Sequence, residues 1–293
     1  MTIFTPATSA NLGPGFDSLG LALKLYNEVS ITEQKISSIN IIGEGSDKIA
    51  LKKNNTFVNI FNETIASLNG KSLNYKFNFV NNIPFSRGLG SSSSVIVGAI
   101  AAAYYIAGFK VERSVILNKA LQYENHPDNI SPAVWGGFTV NIVSGDSVFT
   151  QRTDIDSNLK AVVVIPDEPM NAMQSRGTLP ANYTMSECVS NLSHAAYLSS
   201  CFIKKDYDNL RLACIDKMHE ERRMSALPEL FRVKEVAYAN GSLMSTLSGS
   251  GSSFLNLTYD DRAQALAQAL QSEFSKFRVV ILDIDNDGFN IKS

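Results

Sequence analysis

The sequence predicts an α+β protein built from two domains. Three observations carry this. The chain has 293 residues, more than the roughly 100–200 of a single domain. Short strand patterns are mixed with runs of helical spacing, instead of one period throughout. The composition, 44% apolar and 18% charged, is that of a globular chain, and one this long can bury about three-quarters of its unfolded surface.

The elements follow in order. Residues 29–32 and 39–42 read as strands. Phe57, Ile60, Phe61, Thr64, Ile65 and Leu68 recur at helical spacing. Tyr75, Phe77 and Phe79 alternate with polar neighbours, the period of a half-buried strand. Helices are predicted over 91–107 and 112–124, and the pair Gly136-Gly137 opens a strand. The polar stretch 150–157 marks a boundary, dividing the chain into 1–153 and 154–293. Beyond it, 161–165 is a short apolar strand closed by Pro166. Helices are predicted over 186–203, 208–218, 230–239 and 261–274. Strands at 243–247 and 254–257 flank a Gly/Ser turn, and a last strand covers 279–282. There is no internal repeat and no low-complexity tract.

Charge narrows the function classes. The 26 basic and 28 acidic side chains give a net charge of −2 and are scattered, so the basic stripe of a nucleic-acid binder is missing. An anionic ligand would have to be held by local geometry. The three cysteines, Cys188, Cys201 and Cys214, form no C-x-x-C pair and suggest neither a disulfide framework nor a zinc site; reduced thiols in the cytoplasm are expected. The N-terminus lacks the basic and apolar regions of a signal peptide. The most apolar window, 95–109, falls short of the ~20 residues that span a bilayer and reads as a buried helix, so no membrane partner is expected.

The strongest local chemistry lies in Pro84, Phe85, Ser86, Arg87, Gly88, Leu89, Gly90, Ser91, Ser92, Ser93 and Ser94, followed at once by the apolar helix. Glycines let backbone approach a ligand closely. Free N–H groups at a helix start make an anion site. Serine hydroxyls add donors and can ligate Mg²⁺. The Walker A pattern G-x-x-x-x-G-K-[ST] is missing, and so is the downstream acidic residue of a dinucleotide fingerprint. A linker or plain cap would also fit such a turn; the length of the serine run and the neighbouring Arg87 favour phosphate.

Three further segments stand out. Residues 6–20 pack two prolines, three glycines, Asn11 and Asp17 into fifteen positions, which as pure structure would be an Asx-capped turn. His126-Pro127-Asp128-Asn129 follows Glu124. With no second histidine nearby this is no zinc pair, whereas one carboxylate plus ATP phosphates suits Mg²⁺, which keeps its waters. The third, 247–253, is a second Gly/Ser turn that would serve equally as a plain hairpin.

Together these segments resemble, in order, the three signature motifs of the GHMP kinase superfamily, across the whole chain. The 6–23 segment is closest to the homoserine-phosphorylating branch, and in the third motif Ser252 stands where proline is common. The resemblance implies a two-domain GHMP kinase fold. A ribosomal protein S5-like N-terminal domain would pack on a ferredoxin-like C-terminal domain, with the active site between them. It implies ATP and Mg²⁺ as cofactors and L-homoserine as substrate. By motif position Asn11 and Asp17 would face homoserine, with Asp17 near the reacting hydroxyl. Glu124 and Ser92 would hold the metal, and His126 and Asn129 would contact substrate. Catalysis would thus rest on Asp17, Asn129 and Glu124, with Asp128 structural. Arg176, before Leu179-Pro180, and Arg223, five residues before Pro228, would grip the substrate carboxylate; Arg222 is the alternative to Arg223. Ala172 occupies a position where the superfamily branch commonly has threonine. A homodimer is compatible with the resemblance. The alternatives are a mevalonate or sugar kinase, and a nucleotide-binding protein without catalysis.

Overall fold

The computed structural model describes residues 1–69, 74–170 and 172–293. The first half of the chain builds a mixed sheet from β1 (Thr2–Ala10), β2 (Leu19–Glu33), β3 (Ser38–Gly43), β4 (Tyr75–Asn81), β5 (Phe138–Ser144) and β6 (Ser147–Thr153). Its helices are α1 (Ile49–Lys53), α2 (Thr56–Asn69), α3 (Ser91–Ile106), α4 (Arg113–Leu121) and α5 (Pro127–Trp135). The long strand β2 is the hub. It pairs antiparallel with β1 and β4, and at its start with β5, while β3 lies parallel to β4.

The alternation of β4 has a direct cause. Tyr75, Phe77 and Phe79 point into a core with Phe57 and Phe61 of α2. Phe57 meets Phe79 edge-on at 5.4 Å and Phe61 meets Phe77 at 5.4 Å. Truncating one such ring to alanine costs about 3–5 kcal/mol. Helix α3 is apolar nearly all round because α2, α4, α5 and the sheet enclose it.

The second half contributes β7 (Leu159–Ile165), α6 (Ala172–Gly177), α7 (Met185–Lys204), α8 (Leu210–Ala213), α9 (Glu220–Met224), α10 (Glu229–Ala239), β8 (Met244–Leu247), β9 (Phe254–Tyr259), α11 (Asp260–Glu273), β10 (Arg278–Asp283) and β11 (Asn290–Lys292). The second sheet runs β10-β7-β9-β8. Its apolar strand β7 is buried on both faces. Val162 and Val164 meet α10 and α11, whereas Ala161 and Val163 meet Leu198 and Phe202 of α7 together with Ala7, Leu21 and Phe138 of the first half. That shared core locks the halves together.

Four differences from the sequence reading have physical reasons. Strand β1 was not apparent because Thr and Ser intersperse its apolar residues, and β11 returns from the chain end to pair with β1. The polar stretch at 150–157 begins within β6, an edge strand paired to β5 that exposes Phe149, Gln151 and Arg152. Segment 127–135 is a helix despite two prolines: Pro127 sits in the first turn, where its missing N–H is not needed. The helix expected over 208–218 stops at Ala213. There Gly13 approaches so closely that a Cβ on it would lie 2.5 Å from the Cys214 carbonyl oxygen, and the Asp216 carboxylate takes the His219 and Glu220 N–H groups at 2.7 and 2.8 Å.

Candidate active site

The glycine-rich loop ends in a left-handed turn at Gly90, from which α3 starts. A Cβ there would lie 1.9 Å from Thr8 Oγ1, so only glycine fits. The first N–H groups of α3 lack intrahelical partners and carry the positive end of its dipole. The late Gly/Ser turn braces this loop from behind. Ser248 donates its hydroxyl to the Gly88 carbonyl at 2.6 Å, and the Ser253 N–H donates to Arg87 O at 3.0 Å.

Beside the loop lies a cavity of about 390 Å³. Leu51, Phe57, Phe79 and Phe85 give it apolar walls, Lys48 and Asn55 a polar rim, and Ser91 and Ser92 one end. The Arg87 side chain is engaged with protein carbonyls. Its guanidinium donates to the carbonyls of Phe85 (2.9 Å), Pro166 (2.8 Å) and Asp167, which ties the loop to the second half of the chain.

The four serines divide their work. Ser92 is exposed toward the cavity. Ser93 is buried and donates to Glu124 Oε2 at 2.7 Å. Ser94 is buried, accepts from Asn27 Nδ2 and donates to Ser91 O, both at 2.9 Å. Burial lifts the Glu124 carboxyl to about 6, against the lowering effect of Ser93. No cationic side chain among the described residues forms an ion pair with Glu124.

Across from the loop, the turn between β1 and β2 holds Asn11 and Asp17 in left-handed conformations that these residue types tolerate. Asn11 is buried and spent at both ends: Oδ1 accepts the Asp17 N–H and Nδ2 donates to Gly249 O, each at 3.0 Å. It shapes the loop. Asp17 lies at the centre. Its Oδ1 accepts from Arg176 at 2.6 Å, and its Oδ2 is 3.4 Å from His126 Nδ1. Burial, Arg176 and Arg223 together outweigh Asp17 and hold His126 below the ordinary histidine range. Asn129 Oδ1 accepts from Thr8 Oγ1 at 2.7 Å. Asp128 is buried, and its carboxyl is pushed up to about 8 by burial and by the charges of Asp17 and Glu124.

Arg223, not Arg222, turns inward. Arg222 pairs with Glu187 at 3.0 Å and caps the carbonyls of Lys217 and Met218. Arg223 is buried, donates to Gly249 O at 3.0 Å, and keeps its Nε–H without a partner. The guanidiniums of Arg176 and Arg223 lie 5.1 and 5.2 Å from the Phe16 ring centre. Phe16 and His219 escaped the sequence reading. Asn171 lies outside the described residues, and of Ala172 only the backbone is described, so the threonine substitution there has no structural account.

The GHMP kinases N-terminal domain family matches residues 55–137, and the GHMP kinases C-terminal family matches 200–276. A homoserine kinase of Campylobacter fetus is 69% identical over the full length of both chains. The chain belongs to the homoserine kinase family of GHMP kinases. A homoserine kinase of Campylobacter concisus is 62% identical over 99% of both chains. The homoserine kinase crystal structure from Cytophaga hutchinsonii superposes with a TM-score of 0.88, covering 100% of this chain and 97% of that one at 24% identity. The GHMP kinase fold expected from the motifs is therefore the fold observed. Within this homoserine kinase fold, the 247–253 turn is hydrogen-bonded both to the Asp17 turn, through Asn11 and Gly249 O, and to the loop over 84–94, through Ser248 and Gly88 O. Among the described residues no helix is long and apolar enough to cross a membrane.

Proposed function

We propose that this chain transfers the γ-phosphoryl group of ATP to the side-chain hydroxyl of L-homoserine, giving O-phospho-L-homoserine, a step of threonine biosynthesis in the cytoplasm. The observation that carries the substrate assignment is Arg223. A buried guanidinium with an unpaired Nε–H costs roughly 1–3 kcal/mol unless a ligand completes it. A carboxylate matches its planar fork. Arg176, which also lies against Phe16, supplies a second cation.

The geometry supports the following division of labour. The adenine side of ATP takes the apolar cavity walled by Phe57, Phe79 and Phe85. The phosphates lie along Gly88–Ser92 at the α3 N-terminus, where backbone N–H groups and the helix dipole offset their charge. The two arginines fix the carboxylate, and His126 and Asn129 border the reacting end of homoserine. The hydroxyl oxygen forms the new bond to the γ-phosphorus as the bond to ADP breaks. Asp17 is the neighbouring carboxylate that can take the hydroxyl proton. Little covalent work is needed, because positioning and charge neutralisation supply most of the acceleration in phosphoryl transfer.

Mg²⁺ fits the residues present: Glu124 is a desolvated carboxylate without a cationic partner, and Ser92 is an exposed hydroxyl at the same helix start. These two would hold the ion, which when bound would neutralise charge on the phosphates. The test is ATP consumption over a panel of homoserine, mevalonate, sugars and simple amino alcohols. Homoserine is expected to be turned over far better than the rest. Preference for mevalonate or a sugar would overturn the assignment, and no consumption with any acceptor would favour a nucleotide-binding protein without catalysis.

A further inference from the structure

His219 belongs to none of the motifs, and its side chain is wholly buried. It sits where three parts of the substrate site meet. Its Nε2 lies 2.8 Å from the Gly13 carbonyl oxygen, in the turn that carries Asp17. A carbonyl only accepts, so Nε2 carries the hydrogen. That fixes the tautomer and leaves Nδ1 as an acceptor, 3.3 Å from Arg223 NH1. The imidazole also packs on Phe16, with ring centres 5.2 Å apart. Phe16 in turn carries both arginines at 5.1 and 5.2 Å.

The groups that face the imidazole sustain this arrangement. Burial acts most strongly and holds His219 below the ordinary histidine range. Arg223 acts in the same direction, and the carboxylates of Asp216 and Glu220 act against it. The Asp216 carboxylate accepts from Asn191 Nδ2 at 2.7 Å and from the His219 and Glu220 N–H groups, so it fixes the backbone from which the imidazole projects. A charged imidazole would place an N–H donor against the Arg223 guanidinium, and the Nδ1 contact would become a repulsion.

From this geometry we infer that His219, as a neutral imidazole packed at a tilt against Phe16, is a positioning residue that sets the spacing and direction of the two guanidiniums reading the substrate carboxylate. It touches neither phosphate nor the reacting hydroxyl; it acts through Arg223 and Phe16. The inference rests on the homoserine reading given above.

The experiment compares kcat/KM for homoserine with that for 3-aminopropan-1-ol, which lacks the carboxylate, in the wild type and in His219→Leu, His219→Asn and Phe16→Leu. A cation–aromatic contact and a buried hydrogen bond to a charged group are each worth on the order of 1–2 kcal/mol. The homoserine preference should therefore fall about tenfold or more in His219→Leu and in Phe16→Leu. The loss should lie mainly in the homoserine KM, with the KM for ATP unchanged. His219→Asn, whose Oδ1 can replace Nδ1 as acceptor, should recover part of the preference. If His219→Leu does not fold, Phe16→Leu decides alone. A wild-type preference retained in the folded variants, with both acceptors slowed equally, would overturn the inference. A wild type that does not phosphorylate homoserine would instead overturn the functional reading. Nitrogen-15 spectra of the wild type should also show one histidine fixed as the Nε2–H tautomer; an Nδ1–H or charged His219 at neutral pH would refute the brace.

Discussion

Arg176 and Asp17 are bonded at 2.6 Å across the cleft, joining α6 to the turn between β1 and β2. A substrate carboxylate must compete with Asp17 for this guanidinium, whereas Arg223 already has an unpaired donor. The two arginines should therefore differ in weight.

Arg223→Ala is expected to be the more damaging change. Removing one partner of a desolvated charge pair costs roughly 2–5 kcal/mol, or on the order of 30- to several-thousand-fold in kcat/KM for homoserine at about 1.4 kcal/mol per tenfold. The Arg176 side chain is 43% exposed, and its contacts are screened by solvent, so Arg176→Ala should cost about tenfold. In both variants KM should carry most of the loss. Steady-state kinetics check this; equal, small effects in both would remove them from the carboxylate site.

Glu124→Gln should separate stability from activity. Burial raises the folded-state carboxyl from its ordinary 4.5 to about 6. A raised acid contributes its stability below its unfolded value and loses it as pH rises through the folded one. Above pH 6 the charged Glu124 therefore costs the free protein up to about 2 kcal/mol. Glu124→Gln should melt higher than wild type at pH 7.5, with the difference gone below pH 4.5, while turnover falls at least a hundredfold. Thermal melts across pH, read beside kinetics at limiting Mg²⁺, test both halves. Near-normal turnover would remove Glu124 from the metal site.

The serine run should show three distinct phenotypes. Ser92→Ala should lower kcat with an unchanged Tm, because Ser92 faces the cavity and supports nothing. Ser94→Ala should lower Tm by breaking its bond to Asn27, a loss of about 1 kcal/mol, and should affect kcat less. Ser93→Ala removes the hydrogen bond that lowers Glu124, so the acid limb of the pH–rate profile should move upward. Three equal kinetic effects would contradict this division.

These assignments differ in how far the sequence announced them. The alternation of Tyr75, Phe77 and Phe79 and the helical spacing from Phe57 to Leu68 were legible because each element buries one face. Asp17, Glu124, His126, Arg176 and Arg223 were legible only through their motif context. What was hidden is long-range. Nothing local tells that Arg87 turns back onto the carbonyls of Pro166 and Asp167, or that Asn11 spends its amide on Gly249. Strand β11 is invisible because three residues carry no period. His219 left one faint signal, its place three residues after Asp216 and four before Arg223, which folding turns into a shared buried cluster.

Leu51→Glu should report on the nucleotide alone. Leu51 lines the apolar wall of the 390 Å³ cavity, and burying a carboxylate there opposes an aromatic base. The KM for ATP should rise about tenfold or more, with the homoserine KM unchanged. A rise confined to homoserine would place the base elsewhere.

The most direct measurement of the central claim is phosphorus NMR of the product formed from ATP and L-homoserine by the wild-type protein. The account predicts one new phosphomonoester resonance, coupled to the side-chain methylene protons of homoserine and growing in step with ADP. A phosphate on another acceptor, or ADP formed with inorganic phosphate as the only other product, would contradict it.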